Sequence, residues 1–275
     1  MLPKAAGTVA PPRYWAAVAI TVGAILSQYF LPQLVPALRP AYASLPAALF
    51  VVYGVPILAF ALLVGAGPIR GWAGRNGRAF DVGLRAYGVL TLLALVASVF
   101  LLALILFVDP AARGVLTAST PVVRTAEADP YFWALLSFPI GVVEELIFRG
   151  WIFGYWLQRD PTRWKLHVLW TSGLFAAMHL YYALTYGVVF VIPALVLVTD
   201  GAAFAITFRE SGGNLIAISF LHGWNDATVF IALALPVVGY ALHYALVLLG
   251  VALAVAVHYR RQLLREASAG PLLGS

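Results

Sequence analysis

The stretch YFWALLSFPIGVVEELIFRGWIFGYWL, residues Tyr131–Leu157, decides the fold. A bilayer crossing takes about 20 mostly apolar residues, and this run is long enough and apolar enough to make one. Its middle nevertheless holds Glu144, Glu145 and Arg149. Each ionised group at the bilayer centre costs about 2.5–3.5 kcal/mol on insertion scales, so such residues persist where they meet partners or do chemistry.

The rest of the chain agrees. Of its 275 residues 63% are hydrophobic and only 10% are charged, against roughly 25% in a soluble domain; the mean hydropathy is +0.92. That excludes a soluble enzyme and a disordered chain. The absence of cysteine excludes a disulfide framework, a thiol nucleophile and a Cys-based metal site. The net charge of +6 reads as basic cytoplasmic loops, so the expected partner is the lipid bilayer and not nucleic acid. Lys4 and Lys165 are the only lysines beside many arginines, and alanine is abundant. That composition is typical of a GC-rich bacterial genome and places the chain in a bacterial inner membrane.

Outward from Tyr131–Leu157, seven further apolar runs are long enough to span: Tyr14–Pro32, Leu45–Val64, Leu84–Val108, Leu166–Tyr186, Val188–Phe208, Asn214–Leu233 and Val237–Tyr259. Tyr14–Pro32 is too long for a signal-peptide core, and no small-residue cleavage site follows it. With the N-terminus inside, the cytoplasmic segments carry Lys4, Arg13, Arg70, Arg75, Arg78, Arg85, Arg159, Arg163, Lys165, Arg209, Arg260, Arg261 and Arg265. The opposite face holds only Arg39, Arg113 and Arg124. The expected fold is therefore an all-α polytopic bundle of about eight transmembrane helices with both termini cytoplasmic. The expected division is a tail over 1–13, N-terminal helices and an outer loop over 14–130, a helical core over 131–259 and a basic tail over 260–275. No internal repeat of the transporter kind is visible.

Once the loops are assigned, Glu144, Glu145, Arg149, His179, Asp200, His222, Asn225 and Asp226 remain inside. Glu144 and Glu145, His179 and His222 lie at similar depth on three different spans, which reads as one buried polar cluster. Glu145 and Arg149 are four apart and share a helix face in the favourable order. Glu144 is turned about 100° away and has no partner built into its own helix. His222 and Asp226 are again four apart. Each residue has a structural reading: Glu145–Arg149 as a staple, His179 as a hydrogen-bonded core residue, Asp200 as an isolated structural acid. Their joint occurrence at one depth favours a site.

Ser172, Ser211 and Ser219 lack a Gly-x-Ser-x-Gly setting, and neither a His-Glu-x-x-His motif nor a phosphate loop is present. A carboxylate, imidazoles and a cation suit the activation of water, with Glu144 taking the proton and His179 holding the water. Donors from the His222 helix would face the oxyanion. No cofactor is needed for this, though two His and a Glu are also an acceptable zinc set, and the sequence leaves that alternative open.

Glu144-Glu145-x-x-x-Arg149, Phe175-x-x-x-His179 and His222-x-x-x-Asp226, in this order on membrane helices, resemble the motifs of the CAAX-protease and bacteriocin-processing family, the type II CAAX prenyl endopeptidase-like membrane proteins. The turn Phe208–Leu215 resembles the family's polar, Gly-containing turn, and the resemblance spans roughly Tyr131–Leu233. It implies a glutamate-dependent intramembrane endopeptidase. Glu144 would activate water, His179 assist, and His222 with Asp226 form the oxyanion site, while Glu145 and Arg149 keep the site's structure. The implied substrate is a peptide or membrane-protein C-terminus, lipidated in the prenyl-protease branch. The third motif often ends in Asn where this chain has Asp226. An ionised Asp cannot donate a hydrogen bond; either Asp226 is protonated, or it orients His222 while Asn225 or a backbone group donates. A non-catalytic immunity or binding protein and a proton-coupled transporter are the competing classes.

Overall fold

The computed structural model describes residues 10–39, 44–67, 69, 129–180 and 191–233, with scattered helical positions between 87 and 107 and between 245 and 260. Among the described residues the chain is all-α and contains no strand. Six helices carry the argument: α1 (Pro11–Leu34), α2 (Leu45–Leu63), α3 (Pro130–Arg159), α4 (Trp164–Met178), α5 (Val191–Glu210) and α6 (Leu215–Leu233). Helices α1, α2 and α3 are each long and apolar enough to cross a membrane. Most of the expected spans Leu84–Val108 and Val237–Tyr259, the loop after Val108, the hairpin at Gly187 and the two tails lie outside the described residues.

The helix starts follow from sequence. Prolines at the first positions of α1, α2 and α3 preset φ where an N–H has no helical partner. Ser44 Oγ accepts from Ala47 N–H at 3.4 Å and Asp129 Oδ1 from Phe132 N–H at 3.0 Å, capping α2 and α3. Two helices widen to π-helical turns, Phe50–Gly54 in α2 and Leu146–Phe153 in α3. In α2 the cause is close by: Pro56 has no N–H for the Val52 carbonyl, and Val55 N–H donates to Phe50 O instead. In α3 the wide turn frees side-chain contacts to the N-terminal helices. Tyr14 Oη donates to Ile152 O at 3.3 Å and Trp151 Nε1 to Gly65 O at 2.9 Å.

Those contacts fuse α1 and α2 to the α3–α4 core. Tyr14 stacks on Tyr155 with ring centres 4.1 Å apart, and Phe60 stacks on Trp151 at 5.3 Å. Tyr14, Phe60, Trp151, Phe148 and Phe175 are all buried in one cluster. Each such ring pair contributes about 0.5–1.5 kcal/mol beyond its buried area.

The basic turns after α3 and after α5 lie at one end of the bundle, where the Arg209 guanidinium sits 4.1 Å over the Trp164 ring. The Thr162 hydroxyl donates to Asp160 there at 2.6 Å, and with Arg163 nearby it holds that carboxyl below its ordinary range. Gly212 and Gly213 take positive φ (67° and 92°) to reverse the chain between α5 and α6. Ser211 Oγ and Asn214 Oδ1 then accept from Asn214 N–H and Ala217 N–H, which starts α6.

Helices α3 and α6 approach closely because small residues face each other, the usual device between membrane helices. A Cβ on Gly141 would meet Gly223 N at 2.8 Å, and a Cβ on Gly223 would meet Phe138 Cα at 2.7 Å. Both obstacles are backbone, so the helices themselves would have to separate. Gly223→Ala is expected to lower stability by about 1–3 kcal/mol, and to disturb the adjacent His222. Thermal unfolding in detergent checks this; an unchanged midpoint would show that the approach is looser than the geometry states.

Candidate active site

Glu144 and Glu145 end the α-helical part of α3, and the π-helical segment begins at the next residue, Leu146. They point to different neighbours. Glu145 is fully buried, and its Oε1 accepts from Arg149 Nη1 at 2.8 Å and from His222 Nδ1 at 2.7 Å. Arg149 is buried too, and its Nη2 donates to Gly201 O in α5 at 3.0 Å. The guanidinium carbon also lies 5.1 Å from the Phe175 ring centre and 5.2 Å from that of Phe204. The i, i+4 pair legible in the sequence therefore extends through His222 to α6 and through Gly201 to α5.

Glu144 is only partly buried, and Tyr53 Oη on α2 donates to its Oε1 at 2.8 Å. Its Oε2 lies 3.5 Å from His222 Nε2. Asp226 Oδ2 lies at the same distance from that nitrogen, so His222 faces three carboxylates with its two ring nitrogens. An ionised carboxylate only accepts, so Nδ1 carries the hydrogen it shares with Glu145. The His222 ring stacks on Phe204 at 4.8 Å and meets the edge of Phe175 at 6.0 Å.

His179 sits where α4 ends. Its backbone N–H turns to Ala176 O, which leaves the Phe175 carbonyl for the ring, and Nδ1 donates to it at 2.8 Å. In a neutral ring Nε2 is then the acceptor nitrogen.

Glu144 and His179 line one cavity together with Ile25, Tyr29, Val52, Tyr53, Ile147, Phe148 and Met178, with about 400 Å³ of empty space including its mouth. His222 is not in this lining; it stands behind Glu144, buried. Asp226 keeps about a third of its side chain exposed. Beside it Asn225 is buried and accepts from Tyr87 Oη at 3.2 Å. Asp200 is buried as well, and its Oδ1 has no hydrogen-bond partner among the described residues. No group of three or more His, Cys, Asp or Glu among the described residues is arranged to hold a metal ion.

Residues 126–228 match the family model of the type II CAAX prenyl endopeptidase Rce1-like proteins. It is the family that the three motifs point to. The match covers less than half of the chain, yet it takes in all three motifs, from Glu144 to Asp226. The family is one of proteases, and the apolar helices make the chain a membrane protein. Neither a curated protein nor a solved structure matches the chain.

The structure also gathers residues that the sequence did not single out. Tyr29 and Tyr53 reach the cavity from α1 and α2 respectively, outside the matched stretch, and Phe204 and Gly201 serve His222 and Arg149 from α5. No spacing rule marks any of them.

Proposed function

We propose that the chain is a multi-pass intramembrane endopeptidase of the cell membrane that hydrolyses a peptide bond in a membrane-presented peptide or protein C-terminus. One observation carries the reading. Of two adjacent glutamates, one is held by Arg149 and His222, while the other lines a cavity with His179. Glu144 takes a proton from a water in that cavity, and the oxygen adds to the scissile carbonyl. The tetrahedral intermediate collapses as that proton passes to the leaving amine. His179 holds the water through its Nε2. The oxyanion forms on the His222 side of Glu144, with Asp226 orienting His222; its 3.5 Å approach and partial exposure suit an orienting group. Glu145 and Arg149 keep the three helices in register.

The eight-span count, with both termini cytoplasmic, and the division into N-terminal helices over 14–130 and a catalytic core over 131–259 belong to the same proposal. The two basic turns sharing one end of the bundle support it. The substrate class is a peptide, lipidated or part of a membrane protein, entering from the cytoplasmic side. Substrate trapping in native membranes with the Glu144→Gln variant tests enzyme and partner together; a variant that retains no peptide beyond wild-type background defeats the reading.

The reaction so written needs no metal. Dialysis against a strong chelator is expected to change peptide hydrolysis by less than about twofold, because Glu144 and not a metal takes the proton from the water. Loss of activity restored by zinc would replace this mechanism with a metal-based one.

A further inference from the structure

Outside the three motifs, one side chain bonds directly to the proposed base. Tyr53 lies in the π-helical turn of α2, and Val55 N–H reaches back five residues there because Pro56 interrupts the ladder. Holding one extra residue in that turn rotates Tyr53 relative to the rest of the helix, and π-bulges of this kind recur at functional sites. Its Oη donates to Glu144 Oε1 at 2.8 Å, and both residues line the same cavity. Glu144 thus takes a hydrogen bond from α2 at Oε1, and its Oε2 faces His222 Nε2 of α6 at 3.5 Å.

We infer that Tyr53 is a positioning residue for Glu144, a hydroxyl supplied by the second helix that clamps the carboxylate between α2 and α6. The inference rests on Glu144 being the base. A carboxylate oxygen has two lone pairs, so the tyrosine fixes the carboxylate plane and still leaves acceptor capacity for the attacking water. A carboxylate free to rotate would present that water off-line, and small misplacements of a reacting group reduce rates strongly.

The test uses the full chain in proteoliposomes and a quenched fluorescent peptide carrying a farnesylated cysteine near its C-terminus. Tyr53→Phe is expected to lower kcat about tenfold while KM stays within about twofold. In a Glu144→Gln background the same substitution should change the residual rate by less than about twofold, because the group it positions is gone. Difference infrared spectra give a readout free of substrate: the carboxylate bands that vanish in Glu144→Gln should move in Tyr53→Phe. Should Tyr53→Phe not assemble, the tyrosine C–O band in Glu144→Gln reads the same contact from its other side and should shift. Unmoved bands, or an unchanged kcat with Glu144→Gln inactive, overturn the role of Tyr53 alone. An active Glu144→Gln enzyme overturns the base assignment and this inference with it.

Discussion

Glu144→Gln is expected to insert and fold like the parent chain and to hydrolyse peptide about 10²–10⁴-fold more slowly, the range for loss of a positioned general base. The carboxamide keeps the shape of the side chain, and its oxygen still accepts from Tyr53 Oη, the 2.8 Å bond seen to the carboxylate. What it loses is the capacity to take a proton from water. The neighbouring Glu145→Gln provides the contrast. Glu145 is fully buried and holds both Arg149 and His222, so its change should lower the thermal midpoint as well as activity. Two adjacent substitutions of the same chemistry would then separate, one chemical and one structural. Rates on the quenched peptide, taken beside melting curves of both variants, check this. A Glu144→Gln protein retaining activity within about threefold would favour a binding or immunity protein that uses the cluster for structure only.

What the sequence discloses here depends on scarcity. With 10% of residues charged, each acid or histidine left on an apolar span stands out, and the i, i+4 spacing of Glu145 and Arg149 gives their pairing without a fold. The link from Glu145 to His222 is different. It depends on how closely α3 and α6 approach, which Gly141 and Gly223 decide, and glycines in membrane helices are too common to signal a contact. Tyr53 was hidden for a related reason. It is one of 13 tyrosines, and its aim depends on a π-helical turn set by Pro56. Backbone groups such as the Gly201 carbonyl leave no trace in composition at all. The sequence read Glu144, His179 and His222 as one cluster at one depth; the packing keeps His222 beside Glu144 but behind it, outside the lining that Glu144 and His179 share. Depth along a span is readable, but the rotation of each helix about its axis is not.

That rotation is held by Arg149, and its removal should produce the largest loss of stability. Arg149 bonds Glu145 in its own helix and Gly201 in α5, and packs on Phe175 of α4 and Phe204 of α5. Arg149→Ala leaves the Glu145 carboxylate buried without its guanidinium and opens space between two aromatic rings. Breaking a buried pair from one side costs about 3–5 kcal/mol. For a chain of this size about 1 kcal/mol moves the melting midpoint by roughly 2–4 °C, so the midpoint should fall by roughly 6–20 °C. Removing both charges at similar volume, as in Glu145→Gln with Arg149→Met, should recover much of that loss, because no buried charge is then uncompensated. Activity should not return with stability, since His222 would still have lost the carboxylate that orients its Nδ1. Melting curves and peptide hydrolysis on the single and double variants decide it. A double variant as unstable as Arg149→Ala would mean that the bond to Gly201 and the aromatic contacts, rather than the ion pair, hold α3 against α4 and α5.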